Sequence, residues 1–166
     1  MKKLTPYGQK WLKAFHLFFC GSWAGAAICL VLLTWFLRAS DGMELYGIDL
    51  SKKFIDDYII IPAAIGALLT GLLYSLLTNW DWFRHNWIIV KWCITLFGII
   101  FGTFWLGPWL NTLLAISAKE GLVALSNPAY IHAKTMNQWC GIIQVATLVF
   151  ALFISALKPW RGKNSA

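Results

Sequence analysis

The chain has 166 residues, of which 59% are hydrophobic and 13% are charged, and its formal net charge is +7. Soluble domains are about half apolar and about a quarter charged, so this composition excludes an ordinary water-soluble domain. Eleven Trp and eleven Phe also indicate a membrane protein, because aromatic side chains collect where hydrocarbon meets lipid headgroups. We expect one membrane domain that comprises residues 1–166.

The N-terminal segment, residues 1–13, is basic and precedes an apolar run over residues 15–37. That run is longer than the apolar core of about 7–15 residues in a signal peptide, so we interpret it as a retained membrane span. A cleavage site at Ala39-Ser40-Asp41 is the alternative. The cysteines lie in apolar segments without redox or zinc spacing, which favours buried apolar roles for Cys20, Cys29, Cys93 and Cys140.

A helix needs about twenty mostly apolar residues to cross a bilayer. Four stretches of the sequence meet this requirement. They cover residues 15–37, 58–77, 87–110 and 136–157. Their residues do not alternate as those of barrel strands do, and only helices or closed barrels satisfy the backbone in lipid. The short loop over residues 78–86 makes the second and third spans antiparallel neighbours, so the sequence predicts an all-α, antiparallel bundle of four transmembrane helices. Longer loops are expected over residues 38–57 and 111–135.

The distribution of Lys and Arg predicts the orientation, because cytoplasmic segments near spans hold an excess of both. Five basic residues and six of the seven acidic residues fall in the two long loops. We therefore predict both termini in the cytoplasm, in a bacterial-type inner membrane. The basic residues flank spans and form no soluble basic module, which argues against nucleic-acid binding. The two tails, the middle loop and the adjoining start of the third span carry nine basic residues: Lys2, Lys3, Lys10, Lys13, Arg84, Lys91, Lys158, Arg161 and Lys163.

Small residues four positions apart occur in three of the spans and favour close helix packing. We expect these faces to pack within the chain, with a homodimer contact as the alternative. Pro62 is tolerated in the first turn of its span, whereas Pro108 should bend or end the third span. The small-residue pairs and triplet are Gly21 with Gly25, Gly98 with Gly102, and Ala63 with Ala67 and Gly71.

Ionisable groups inside a membrane are costly, so each one is a functional candidate. His16 lies about one turn into the first span and shares a helix face with Cys20, Trp23 and Ala27. This face borders the glycines of the same span, which we expect to point inward. A neutral imidazole there can bind a haem iron or another metal, or carry a proton. The alternative is a structural hydrogen bond to a neighbouring helix or to interfacial water.

Further candidates lie at the same predicted cytoplasmic level. Lys91 begins the small, polar face of the third span that Thr95 continues. It could meet an anionic propionate or act as an axial ligand, or it could snorkel to the inner headgroups. His85, beside Arg84 in the middle loop, could pair with His16 or remain a solvated loop residue.

The opposite side offers His132, which could form an outer polar pocket with Asn137, Gln144 and Asn111. We expect Gln144, the deepest polar side chain, to hydrogen-bond across helices. No nucleotide, hydrolase or zinc-protease motif is present, and the scarcity of Met argues against copper transport. No buried carboxylate is expected, which argues against a carboxylate-based antiporter.

Two segments resemble a group of small bacterial membrane proteins that includes HemJ-type protoporphyrinogen oxidases and CopD-like four-helix proteins. They are Trp11-Leu-Lys13-Ala-Phe-His16, followed by Trp23-Ala-Gly25, and Trp87-Ile-Ile-Val-Lys91 at the start of the third span. The resemblance implies that His16 is a haem ligand. The chain departs from the oxidase pattern after the first span and in the middle loop, so oxidase activity is not implied. As a whole it is similar to an uncharacterised family of four-span bacterial membrane proteins.

The first functional hypothesis is a membrane protein that binds a b-type haem between helices at the cytoplasmic end. His16 would be one axial ligand and His85 or Lys91 the other, while Arg84 and other basic residues would hold the propionates. Its role would be electron transfer with a quinone or a membrane redox partner, as in a membrane haem oxidoreductase, or haem or porphyrin handling. The second hypothesis is a cofactor-free transport or structural subunit that packs against a partner protein through its glycine faces.

Overall fold

The computed structural model describes residues 4–77 and 86–157. Two predicted site residues, Arg84 and His85, lie outside the described residues, as do most of the middle loop and the C-terminal tail. Within the described ranges the chain is helical apart from short connections.

Four helical rods make up the described chain. Each is long and apolar enough to cross a membrane, which confirms the predicted all-α bundle of four helices in a multi-pass membrane protein. Two of the rods are continuous but contain a π-helical segment. In chain order the elements are α1 (Pro6–Phe36), α2 (Gly42–Ile55), a π segment (Asp56–Ile60), α3 (Ile61–Leu77), α4 (Asn86–Phe101), a second π segment (Gly102–Leu106), α5 (Gly107–Glu120), a 3-10 segment (Gly121–Ser126) and α6 (Pro128–Leu157).

Side-chain caps explain where the first two rods begin. The Thr5 hydroxyl accepts a hydrogen bond from the backbone N–H of Gly8 at 3.2 Å, directly before Pro6. At the start of α2 the Asp41 carboxylate accepts from the backbone N–H of Glu44 at 2.8 Å. Both caps satisfy N–H groups that have no partner within the helix.

The helices pack in antiparallel fashion, with α1 against α3 and α6, and α4 against α6. The backbone N–H of Leu4 donates to the carbonyl of Leu77 at 3.0 Å, which places the beginning of α1 beside the end of α3. We call this the terminal end of the bundle, and the opposite end the distal end. The central core joins α1, α3 and α6 through small residues, one indole and one leucine: Trp23, Ala24, Ala27, Ala63, Ala64, Ala67 and Leu148.

The predicted small-residue faces are used only in part: Ala63, Ala67 and Gly98 are buried within the bundle as expected, but the first glycine pair is not. Gly21 and Gly25 are exposed, and a Cβ atom on either would meet nothing within 4 Å. The close approaches occur at Gly66, where a Cβ would overlap the ring of Phe19, and at Gly98, where it would lie 2.6 Å from Nε2 of Gln144. The expectation that the first glycine pair points inward was therefore wrong, because the neighbouring indole and alanines fill the contact with α3.

Pro62 and Pro108 each follow a π segment within a helical rod. Pro108 therefore does not end its helix. Pro62 and Pro108 each lie two residues after such a segment. A proline lacks the N–H group and its ring clashes with the carbonyl four residues earlier in an α-helix. The backbone N–H of Gly107 instead bonds to the carbonyl of Gly102, five residues back, and this wider turn removes the conflict.

The two predicted long loops are largely helical, which corrects the sequence interpretation. Most of 38–57 forms α2, most of 111–135 forms α5 and the 3-10 segment, and α6 begins at Pro128. Hydropathy identifies only the part of a helix that lies in hydrocarbon, whereas these rods continue because a second core buries their distal portions. Its buried members are Leu45, Leu110, Leu113, Ala124, Tyr130 and Ala133.

Candidate functional site

A cavity of about 460 Å³ lies among α1, α3, α4 and α6 at the terminal end. The structure places His16 and Lys91 on its wall together, and Lys13 also lines it. Hydroxyl groups of Ser75, Thr95 and Ser155 add polarity. Its remaining wall is largely aromatic and aliphatic, and includes Trp23, Tyr74, Trp87, Trp92, Leu17 and Leu148.

Thr70 fixes the tautomer of His16. The Thr70 hydroxyl donates its single proton to the carbonyl of Gly66 at 2.6 Å, so towards the imidazole it can only accept. His16 Nδ1 lies 2.9 Å from this hydroxyl oxygen and must therefore carry the proton. The Nε2 atom is left with a lone pair, the form in which a histidine binds a metal or accepts a proton.

Cys20 is a close neighbour of this lone pair. Its Sγ atom lies 3.5 Å from Nε2 of His16, one helical turn further along α1. A thiol is a weak donor, so a stronger partner for the imidazole can displace it. The sequence analysis treated Cys20 as a buried apolar residue, although its spacing of four from His16 already placed both on one helix face. Gly71 contributes space, since a Cβ there would lie 3.4 Å from the imidazole Cε1.

The basic groups on the cavity wall are two lysines and the neutral imidazole of His16. Of the described residues that line the cavity, Lys13 and Lys91 carry positive charge and none carries a carboxylate. Lys13 is exposed and Lys91 is half-buried. A ligand that suits this wall is amphipathic, with a flat or branched apolar body and one or two anionic groups.

A haem is compatible with these residues. The described part of the chain contains no group of three or more His, Cys, Asp or Glu side chains that could hold a bare metal ion. A porphyrin supplies four nitrogen ligands of its own and needs only one or two from the protein. Here one imidazole nitrogen would suit the iron and two lysines would suit the propionates. Several aromatic rings would suit the macrocycle.

The residues of the predicted outer polar pocket differ in exposure. His132 is exposed, whereas Asn137 and Gln144 are buried. Asn137 donates to the backbone carbonyl of Leu106 at 3.4 Å, within the second π segment. The Oε1 atom of Gln144 is buried without a hydrogen-bond partner, and its Nε2 atom packs on Gly98 of α4. The structure therefore places Gln144 against a neighbouring helix, but with no cross-helix hydrogen bond to its Oε1 atom.

The distal end contains a buried ionic group that the sequence analysis missed. Asp49 is 1% exposed and Lys52 is 4% exposed. Lys52 Nζ donates to Oδ1 of Asp49 at 3.1 Å, and the Tyr130 hydroxyl donates to Oδ2 at 2.9 Å. The expectation of no buried carboxylate was therefore wrong, because the predicted loop that holds Asp49 is a packed helix. The spacing of three residues between Asp49 and Lys52 is the feature of the sequence that could have indicated this pair.

Comparisons of the chain with protein-family models, with curated proteins and with solved structures find no match. The class of protein therefore follows from the fold alone, and it is a multi-pass α-helical membrane protein with four helices able to span the bilayer.

Proposed function

We propose that this protein binds a b-type haem, or a closely related porphyrin, in the cavity at the terminal end. The supporting observation is the imidazole of His16, which lies on the wall of a 460 Å³ cavity with Nδ1 bonded to Thr70 and with Nε2 in contact only with the weakly donating Cys20 thiol among the hydrogen bonds described above. Cations and aromatic rings on the same wall suit an amphipathic anion with a large flat body.

Each residue has a defined part in this proposal. His16 Nε2 would hold the iron in place of its weak contact with Cys20, while Thr70 would orient the ring as a positioning residue. Lys91 and Lys13 would attract the carboxylates, with Arg84 as a further partner from the middle loop. His85 or Lys91 would be the second protein ligand. The haem would supply one-electron redox chemistry.

The biological role that follows is electron transfer with a quinone or a membrane redox partner, or transient handling of haem or porphyrin. We place both termini in the cytoplasm, on the basis of the Lys and Arg distribution in the sequence. The terminal-end cavity then opens near the inner surface of a bacterial inner membrane.

The test is an absorption spectrum of protein purified in detergent from haem-supplemented cells, recorded oxidised and after reduction with dithionite. We expect a Soret band and reduced α and β bands in the wild type, and their loss in His16→Ala. His132→Ala is the matched control, because His132 is an exposed histidine outside this cavity. A featureless wild-type spectrum, or bands unchanged in His16→Ala, would reject the proposal.

A second candidate function is a cofactor-free transport or structural subunit. It is favoured by the exposure of Gly21 and Gly25, a small-residue face that the bundle itself does not use. A second copy of the chain or another membrane helix could pack there. A colourless preparation that copurifies with a partner and loses it on Gly25→Leu substitution would support this alternative.

A further inference from the structure

A second, smaller cavity at the distal end is lined by three cationic side chains. Its volume is about 100 Å³, and it lies where the end of α1 and the α1–α2 connection meet α2, the 3-10 segment and α6. Arg38, Lys52 and Lys134 all line it, together with the buried Tyr130. The rest of the wall is mainly apolar and comprises Thr34, Leu37, Ala39, Leu45, Ile48 and Leu125.

The charges around this cavity do not balance within the described chain. Three cations and no carboxylate line it among the described residues, and Asp49 beside it has both oxygen atoms engaged, by Lys52 and by the Tyr130 hydroxyl. Among the described residues, neither Arg38 nor Lys134 forms an ion pair. The Asp49–Lys52 pair thus leaves the charges of Arg38 and Lys134 uncompensated by any described carboxylate.

Such an excess is unfavourable unless an anion accompanies it. Lys52 is buried and Lys134 is half-buried, whereas Arg38 is exposed at the mouth of the cavity. Like charges repel more strongly where apolar side chains exclude water, so the repulsion is greatest between Lys52 and Lys134. The planar guanidinium of Arg38 and the ammonium of Lys134 are the donors that proteins use for carboxylate and phosphate oxygens.

The size of the cavity restricts the ligand. A volume of about 100 Å³ corresponds to roughly three water molecules in the liquid, which admits one phosphate or carboxylate group but not a nucleotide or a porphyrin. The apolar wall leaves room for a short alkyl substituent on that group.

We propose that this distal cavity is a binding site for a single oxyanion group, of which phosphate is the representative, held by Arg38 and Lys134. Lys52 contributes charge but remains paired with Asp49. The phosphate belongs either to a free anion or to the headgroup of an anionic phospholipid. The site does not depend on haem binding at the other end of the bundle.

The first arm of the test measures thermal unfolding of the protein in an uncharged maltoside detergent, with sodium phosphate titrated against sodium chloride at equal ionic strength. A ligand that binds only the folded state raises the midpoint in a saturable way. The second arm uses nanodiscs of a neutral galactolipid, with and without phosphatidylglycerol, and so separates a headgroup from a free anion.

Arg38→Gln and Lys134→Gln remove one donor group each without touching the buried ion pair. Lys119→Gln is the matched control, because Lys119 is an exposed lysine near the end of α5 that does not line the cavity. We expect each cavity variant to bind the phosphate group at least about tenfold more weakly, as for loss of one charge-assisted hydrogen bond, and the control to bind as the wild type does.

Saturable stabilisation in either arm that is weakened in both cavity variants and retained in Lys119→Gln would support the site and identify the source of the phosphate. Absence of stabilisation in both arms, or equal stabilisation of wild type and cavity variants, would overturn it.

Discussion

The two ends of the bundle use charged side chains in different ways. At the distal end Asp49 and Lys52 are both buried and bond to each other, and the Tyr130 hydroxyl donates a hydrogen bond to the second oxygen of the carboxylate. At the terminal end His16 and Lys91 line a cavity, and no described residue on its wall offers a carboxylate. Polar groups that satisfy each other stabilise a packed core, whereas groups left facing a cavity are available to a ligand.

The packing around the charged side chains also differs between the two ends. The buried ion pair adjoins the second core, which joins α2, α5, the 3-10 segment and α6. His16 and Lys91 instead line the terminal cavity among α1, α3, α4 and α6. Substitutions of the Asp49–Lys52 pair should therefore act mainly on stability, and those on the wall of the terminal cavity mainly on ligand binding.

The largest effect is expected for Asp49→Asn. It leaves Lys52 buried without a counter-charge, which should lower the free energy of unfolding by about 3–5 kcal/mol. The measurement is unfolding by SDS in mixed micelles, followed by circular dichroism. Asp57→Asn is the control, since Asp57 pairs with Lys53 and its side chain is 39% exposed, so its loss should cost about 1 kcal/mol or less. Equal effects of the two substitutions would mean that the distal pair is not a buried one.

The next effect is expected for Thr70→Val, which removes the acceptor for Nδ1–H of His16 while preserving side-chain shape. Loss of a residue that orients a metal-binding histidine should weaken haem binding by about 10–100-fold, measured by titration of the ligand-free protein with haem. Ser75→Ala is the control, because it removes a hydroxyl from the same cavity wall. Wild-type affinity in Thr70→Val would show that the imidazole does not need this positioning.

A smaller effect on stability is expected to distinguish a glycine that packs against another helix from one with open space around it. Gly66→Ala places a Cβ into the ring of Phe19, and such overpacking should destabilise the bundle by about 1–3 kcal/mol. Gly21→Ala meets nothing within 4 Å, so it should be neutral or stabilising by up to about 1 kcal/mol, the helix preference of Ala over Gly. The same SDS unfolding experiment compares them. Destabilisation by Gly21→Ala would instead indicate a contact at that face, such as a second copy of the chain.

The sequence was sufficient for the number of spans and for the inward face of α1 at His16, Trp23 and Ala27. Apolar length is a direct consequence of bilayer thickness, and a spacing of three to four residues fixes which side chains share a helix face. The same reasoning failed for Gly21 and Gly25, because small-residue spacing shows that a helix can approach closely but not which neighbour approaches it.

The distal end was harder to predict because its stability depends on pairs that are distant in sequence. Asp49 and Tyr130 are 81 positions apart, and only the fold brings the hydroxyl to the carboxylate. Charged residues outside apolar stretches were therefore assigned to loops, although α2 buries two of them. The orienting role of Thr70 was missed for the same reason, since its hydrogen bond to His16 spans 54 positions.

The smallest effect is expected for Lys13→Gln, and its size relative to Lys91→Gln locates the anionic part of the ligand. Lys13 is exposed, so its attraction for a propionate is screened and should contribute about 1 kcal/mol or less, or up to about fivefold in affinity. Lys91 is half-buried and should contribute more. Haem titrations at low and high salt check this, because the Lys13 contribution should disappear at high salt and most of the Lys91 contribution should persist. If Lys13→Gln weakens binding as much as Lys91→Gln at high salt, the carboxylates lie at the mouth of the cavity and the expected dominance of Lys91 is wrong.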